Sequence, residues 1–300
     1  MRRRGAPKIR PQGGNTVALR SRPTIRQRRL AAELQRLREA AGVSREDVVQ
    51  QFDWHSTKMY RIENARSGVT SADMLHLLDM YKVSDDRQRA ALLQLARNAR
   101  EKSWWTKHQD IFPGSYLELE AEATAIRSFE AMFVPGLLQT ESYARALMRG
   151  SLVTRDIDRR VSARMERQKL LVRAGERPRL WAIIDESTLT RPVGGPAIMR
   201  AQIDHLIEAQ ELENITLQVV RTSVGAHPGM CGAFVLMDFP SPEFFAPLVY
   251  LESAISSLYL EDEEQIAQYT LMFDHLRAIA LGPDESVRYL ETIRSNLFSE

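Results

Sequence analysis

The chain has 300 residues, 44% of them hydrophobic and 27% charged, with one cysteine, which excludes collagen-like, low-complexity and disulfide-scaffold classes and leaves room for two modest cores. The net charge of +2 hides a gradient: residues 1–29 hold ten Arg or Lys and no acid, residues 30–110 hold thirteen basic and twelve acidic, and residues 111–300 hold eighteen basic against twenty-seven acidic. A basic front and an acidic rear point to nucleic acid at one end and a different partner at the other.

Residues 1–25 contain Pro7, Pro11, Gly13, Gly14 and Pro23 and few large apolar groups, so they read as a basic disordered arm that cannot offset the entropy of ordering. From 26 to 102 the sequence predicts five short helices. Leu30, Leu34 and Leu37 form the apolar face of the first, which stops at Gly42. Ser44 with Asp47 opens the second, which carries Val48 and Val49. Ser56–Asn64 is the third, with Met59 and Ile62 inward, and Thr70 with Asp73 and Asp85 with Gln88 open the fourth and fifth. Turns of a few residues between them make a compact all-α unit.

Trp104 and Trp105 mark the exit into a rear domain over 103–300. Its first part, 103–175, reads as a helical linker region interrupted at Phe133-Val134-Pro135-Gly136. After Pro178 the period becomes alternating, with strands at Leu180–Ile184, Ile215–Val220, Ala233–Phe239 and Leu248–Leu251. A helix from Pro196 to Glu213 between the first two makes a strand–helix–strand crossover, and helices near 262–280 and 284–297 close the chain. The expected class is α+β overall: an all-α five-helix domain, a helical linker and an α+β C-terminal domain.

A short helix enters the B-DNA major groove when its outward N-terminal residues are small or hydrogen-bonding and a neighbouring helix holds its inner side. Ser56, Thr57, Tyr60 and Arg61 lie opposite Met59 and Ile62 and meet that description. Arg45, Lys58 and Arg66 stand better for phosphates. The alternative is a helical protein-interaction module, favoured by the near-neutral charge of residues 30–110. The arm supplies cations that can follow a DNA backbone, or is an ordinary solvated tail.

Residues 34–67, LQRLREAAGVSREDVVQQFDWHSTKMYRIENARS, resemble the helix-turn-helix of the phage repressor and Cro (XRE-like) family. The resemblance implies that Ser56, Thr57, Tyr60 and Arg61 face bases and that Arg38 and Glu63 form a helix-positioning ion pair. Trp104-Trp105, Tyr116–Ala123, Val134–Thr140, Arg191–Gly195 and Gly225–Gly229 resemble a group of actinobacterial regulators that join this unit to an antitoxin-like C-terminal domain. That implies a transcription regulator often paired with a small protein encoded nearby; since one such unit reads only a few base pairs of double-stranded DNA, a homodimer on two half-sites is expected.

Within the rear domain, Pro135, Gly136, Leu137, Leu138 and Gln139 form an apolar turn that is either core packing or a partner groove. The alternative for the whole domain is a small-molecule receptor. An enzyme is not expected: Asp185, Glu186, His227 and Cys231 lack an assembled nucleophile and base, and His227 reads as a loop cap. Metal ligands at suitable spacing and a phosphate loop are lacking too, since Gly194-Gly195-Pro196 reads as a helix cap, so no cofactor or metal is expected. The acidic runs at Glu118–Glu122 and Glu261–Glu264 read as solvated faces. No run approaches the roughly 18 apolar residues of a membrane span, and with lone Cys231 this favours a cytoplasmic, nucleoid-associated location without a membrane partner.

Overall fold

A computed structural model describes residues 23–100, 116–151, 155–240, 246–253 and 256–296. The basic arm through residue 22 and the Trp104-Trp105 pair lie outside the described residues. The front domain has the five expected helices: α1 (Ile25–Ala40), α2 (Arg45–Gln51), α3 (Ser56–Glu63), α4 (Ser71–Met80) and α5 (Asp86–Asn98). Helix α1 starts within the segment assigned to the arm, because Thr24 and Gln27 close a reciprocal capping box. Ser44, Thr70 and Asp85 cap α2, α4 and α5 as their spacing implies. Leu34, Val48, Met59, Met74, Leu77, Leu78 and Leu92 are wholly buried between them.

The first four helices end alike. In each, the amide two residues past the cap returns to a carbonyl in the last turn: Val43 to Arg38, Trp54 to Val49, Arg66 to Arg61 and Val83 to Leu78. This closure needs a left-handed residue just before the returning amide. Gly42 fills it once (φ +68°), and Asp53, Ala65 and Lys82 fill it at φ 51°, 52° and 56°. Gly42 and the Asp53-Trp54 break were legible as stops; Ala65 and Lys82 were not.

The rear domain is built on a six-stranded mixed sheet: β1 (Ala125–Glu130), β2 (Arg179–Asp185), β3 (Ile215–Val220), β4 (Phe234–Asp238), β5 (Leu248–Glu252) and β6 (Ser257–Leu260), in the order β3-β2-β1-β4-β5-β6. Strands β1, β2 and β3 are parallel; β4, β5 and β6 continue antiparallel. The crossover between β2 and β3 runs through α9 (Glu186–Thr190) and α10 (Pro196–Ala209), with Pro196 in the first turn of α10 as expected.

One sequence expectation is corrected, and two strands, β1 and β6, were not anticipated. The region 103–175 is not wholly helical: α6 (Tyr116–Glu122) is followed by β1, which lies at the centre of the sheet, before α7 (Glu141–Arg149) and α8 (Ile157–Gln168). Strand β1 escaped notice because its inward side carries Ser128 and Glu130 after Ile126, so the apolar alternation that reports a strand is absent. Edge strand β6 is short and largely exposed, which also weakens its pattern.

The two faces of the sheet are covered differently. Phe129, Ile183, Phe234, Leu236 and Val249 pack against Phe273 and Leu276 of α11 (Glu263–Ile279). On the other face Ile126, Leu180, Ala182, Ile184, Leu217 and Val219 meet α10 and α12 (Pro283–Asn296), with α6, α7 and α8 closing the end nearer β1. Gly229 is fixed by packing, since a Cβ there would penetrate the Phe129 ring. Replacing Ala65 by Gly should raise stability by about 1 kcal/mol by relieving a left-handed alanine, net of the entropy that glycine adds to the unfolded chain; an unchanged urea midpoint would show that the position is unstrained.

Candidate nucleic-acid interface

Helix α3 is capped by His55, whose Nδ1 accepts from the Thr57 amide at 3.3 Å and lies 3.0 Å from the Thr57 hydroxyl. A histidine cap has no strong sequence signature, and it was legible only as a turn. Ser56, Thr57, Tyr60 and Arg61 are all exposed, while Met59 and Ile62 are buried. The four positions therefore share the solvent face of one helix. Asn64 adds a polar group one turn beyond Tyr60, where its amide donates to the Tyr60 carbonyl at 2.8 Å.

The three cations assigned to phosphates are placed differently from one another. Arg66 is exposed, with its guanidinium 5.8 Å from the Tyr60 ring centre. Lys58 lies 3.6 Å over Trp54 and 3.1 Å from Asp73. Arg45 donates Nε to Glu63 at 2.5 Å while its side chain stays 39% exposed. Only Arg66 among them carries no ion pair in this arrangement of the described residues.

Arg38 meets Glu63 through Nε at 2.5 Å and Nη2 at 3.4 Å, and its Nη1 donates to the Val43 carbonyl at 2.8 Å. The Glu63 side chain is fully buried. One carboxylate at the end of α3 thus receives guanidiniums from α1 and from the start of α2, and its hydrogen bond holds the Arg38 guanidinium more firmly charged than usual. Arg45 is the member that sequence reasoning missed.

Behind α1 the rear domain takes hold of its first turn. Glu118 of α6 accepts from the Ile25 amide at 2.6 Å, and Glu122 pairs with Arg26. A carboxylate at a helix N-terminus meets both an orphan amide and the positive end of the dipole. The acidic run at Glu118–Glu122 is therefore not a solvated face: Glu118 and Glu120 are buried, and Glu120 takes a two-pronged contact from Arg167 of α8.

The segment Pro135–Gln139 does not form an open groove. Pro135, Leu137, Leu138 and Gln139 are buried and Gly136 half-buried. Gln139 donates to the Val134 carbonyl at 2.7 Å and accepts from Arg164 at 2.6 Å, while Gln168 holds the Gly136 carbonyl at 3.0 Å. Gly136 gives Arg167 room, since a Cβ there would come within 3.3 Å of its guanidinium nitrogens.

His227 does not cap its loop. Its buried ring turns inward, with Nε2 3.4 Å from Asp185 Oδ2 and its edge toward Phe129. The Ser187 hydroxyl donates to Asp185 at 2.6 Å rather than to His227, so these three make no nucleophile–base pair. Cys231 is exposed. Among the described residues no group of three or more His, Cys, Asp or Glu is placed to hold a metal, and no helix is long and apolar enough to cross a membrane.

Glu63→Ala should cost about 3–5 kcal/mol, because it leaves Arg38 buried without its partner. Arg38→Met with Glu63→Leu should recover most of that loss in denaturant unfolding. A single-variant loss below about 1 kcal/mol would identify the pair as merely a surface contact.

Residues 29–92 match a family model described as a helix-turn-helix domain. Residues 114–292, more than half of the chain, match the model described as a domain of unknown function, DUF5753. No curated protein and no solved structure matches the chain. The chain belongs to the DUF5753 family, with its helix-turn-helix domain preceding the DUF5753 region.

Proposed function

We propose that this protein is a sequence-specific, DNA-binding transcription regulator. The observation that carries the reading is the solvent face of α3, where Ser56, Thr57, Tyr60 and Arg61 stand exposed on a helix anchored by Arg38, Glu63 and Arg45. Arg61 is the residue suited to bidentate pairing with guanine; Ser56, Thr57 and Tyr60 add less selective hydrogen bonds. Arg66 contacts phosphate directly, and Arg45 and Lys58 reach phosphates from their positions beside Glu63 and Asp73. One such unit reads only a few base pairs, so the protein acts as a homodimer on half-sites about 34 Å apart.

The rear domain carries the regulatory input. Its resemblance to antitoxin-like regulators of actinobacteria favours a small partner protein encoded nearby. The edge strand β6, with Leu258 57% exposed, offers backbone and apolar surface for such a partner. With Pro135–Gln139 buried, that surface replaces the groove expected there. A small-molecule receptor is the second reading, supported by a cleft of about 390 Å³ between α1 and the sheet, lined by Ile25, Ala32, Leu119, Leu248 and Tyr259.

Selection of bound duplexes from a random pool would supply the operator. Arg61→Ala should then lose about tenfold discrimination at one base pair of each half-site, with affinity for mixed-sequence DNA little changed; an unaltered specific-to-nonspecific ratio would remove Arg61 from base reading. Deleting residues 1–22 should flatten the dependence of log affinity on log salt, and an unchanged slope would exclude the arm from phosphate binding.

A further inference from the structure

Helix α3 starts from a histidine, where a serine, threonine or acid would be the common choice. His55 stands before the first turn at φ −62° and ψ 137°, and its Nδ1 accepts from the Thr57 amide at 3.3 Å. A backbone amide can only donate, so Nδ1 presents its lone pair there and carries no proton. In the neutral imidazole the proton then sits on Nε2. The tautomer of His55 is set by the backbone of the helix it caps.

The consequence falls on Thr57. Its hydroxyl lies 3.0 Å from the same Nδ1. A hydroxyl has one proton and two lone pairs. With Nδ1 unprotonated, the hydroxyl makes this contact by giving its proton to the ring, and amide and hydroxyl share one acceptor. Thr57 Oγ1 then has lone pairs alone to offer a ligand. Both residues are exposed, and Thr57 stands beside Ser56, Tyr60 and Arg61 on the solvent face of α3.

In the major groove adenine and cytosine present amino donors at N6 and N4, whereas guanine and thymine present the keto acceptors O6 and O4. A freely rotating hydroxyl serves either set, which makes serine and threonine unselective readers. We propose that His55 is a positioning residue that sets base specificity: by holding the Thr57 proton it makes Thr57 an acceptor for an amino base, adenine or cytosine, and turns it against guanine and thymine. This rests on α3 being the DNA-facing helix, and it narrows Thr57 from a general hydrogen-bonding group to a selective one. The nitrogen that satisfies an otherwise orphan amide at the start of the helix also orients the reading hydroxyl.

Duplexes are selected from a random pool by the full chain and by its Thr57→Val, Thr57→Ser, His55→Asn and His55→Ala variants. The unaltered chain should show one position per half-site at which A and C are accepted about fivefold over G and T. Thr57→Val should level that position and Thr57→Ser should keep it. His55→Asn, whose side-chain oxygen still accepts from amide and hydroxyl, should keep it too. His55→Ala should admit G and T there while the other positions persist, an outcome that general loss of the helix would not give. Nitrogen-15 spectra of the histidine-labelled free chain at alkaline pH supply a readout without DNA. Among the six histidines, the signals lost in His55→Asn should report an unprotonated Nδ1 and a protonated Nε2. A keto base at the position that Thr57→Val levels, an unchanged preference in His55→Ala, or a protonated Nδ1 would overturn the proposal and leave α3 as the reader. A pool without a common sequence would overturn the reading of α3, and the proposal with it.

Discussion

The front domain is organised around one buried carboxylate. Glu63 ends α3, and the guanidiniums that reach it come from α1 and from the first residue of α2, so three helix directions meet at a single side chain. Such a cluster adds little net stability, because desolvating the charges offsets most of their attraction. What it fixes is orientation. Helix α3 has only eight residues and two apolar anchors, Met59 and Ile62, too few to hold its outward face at a defined angle without an end-on restraint.

Helix α1 extends that restraint to the rest of the molecule. It has sixteen residues, about 24 Å of rise. Arg38 near its end belongs to the Glu63 cluster, and its first turn sits on the carboxylates of α6. Helix α6 is just seven residues long, and alternate residues do separate tasks: Glu118 and Glu122 face α1, and Glu120 faces Arg167. A short helix with polar bonds on two sides moves as a unit. The helix-turn-helix and sheet-bearing parts are thereby joined through charged groups rather than by a broad greasy contact alone.

Much of the front domain was legible because its signals are local. A Ser, Thr or Asp three residues before an acceptor, with leucines at helical spacing, determines a helix wherever it falls, and three caps were read in this way, Thr24 being hidden in the segment assigned to the arm. The break at Asp53 was legible as well, whereas the stops at Ala65 and Lys82 were not, because left-handed geometry is imposed there by the packed neighbours rather than by glycine. In the rear domain the four strands with apolar inward faces were found. Strand β1 was missed for the reason that makes it interesting: Ser128 and Glu130 occupy places where the fold would prefer apolar groups. Likewise the isolated-looking acids of α6 gave no hint that their partners stand on α1 and α8, far along the chain.

The central position of β1 governs the order in which the chain acquires its shape. Its partner on one side, β2, lies about fifty residues downstream, and its partner on the other, β4, more than a hundred. The helical front closes over contacts that are near in sequence, so it forms early and can do so while the remainder is still being synthesised. The parallel pairs can close once β2 and β3 follow β1, but β1 keeps one edge open until β4, and the β4-β5-β6 meander forms locally once its residues emerge. Until then β1 has an open edge and a polar side, less adhesive to other chains than an apolar strand would be. The serine and glutamate that burden the finished interior therefore make the waiting strand a poor template for pairing with other chains.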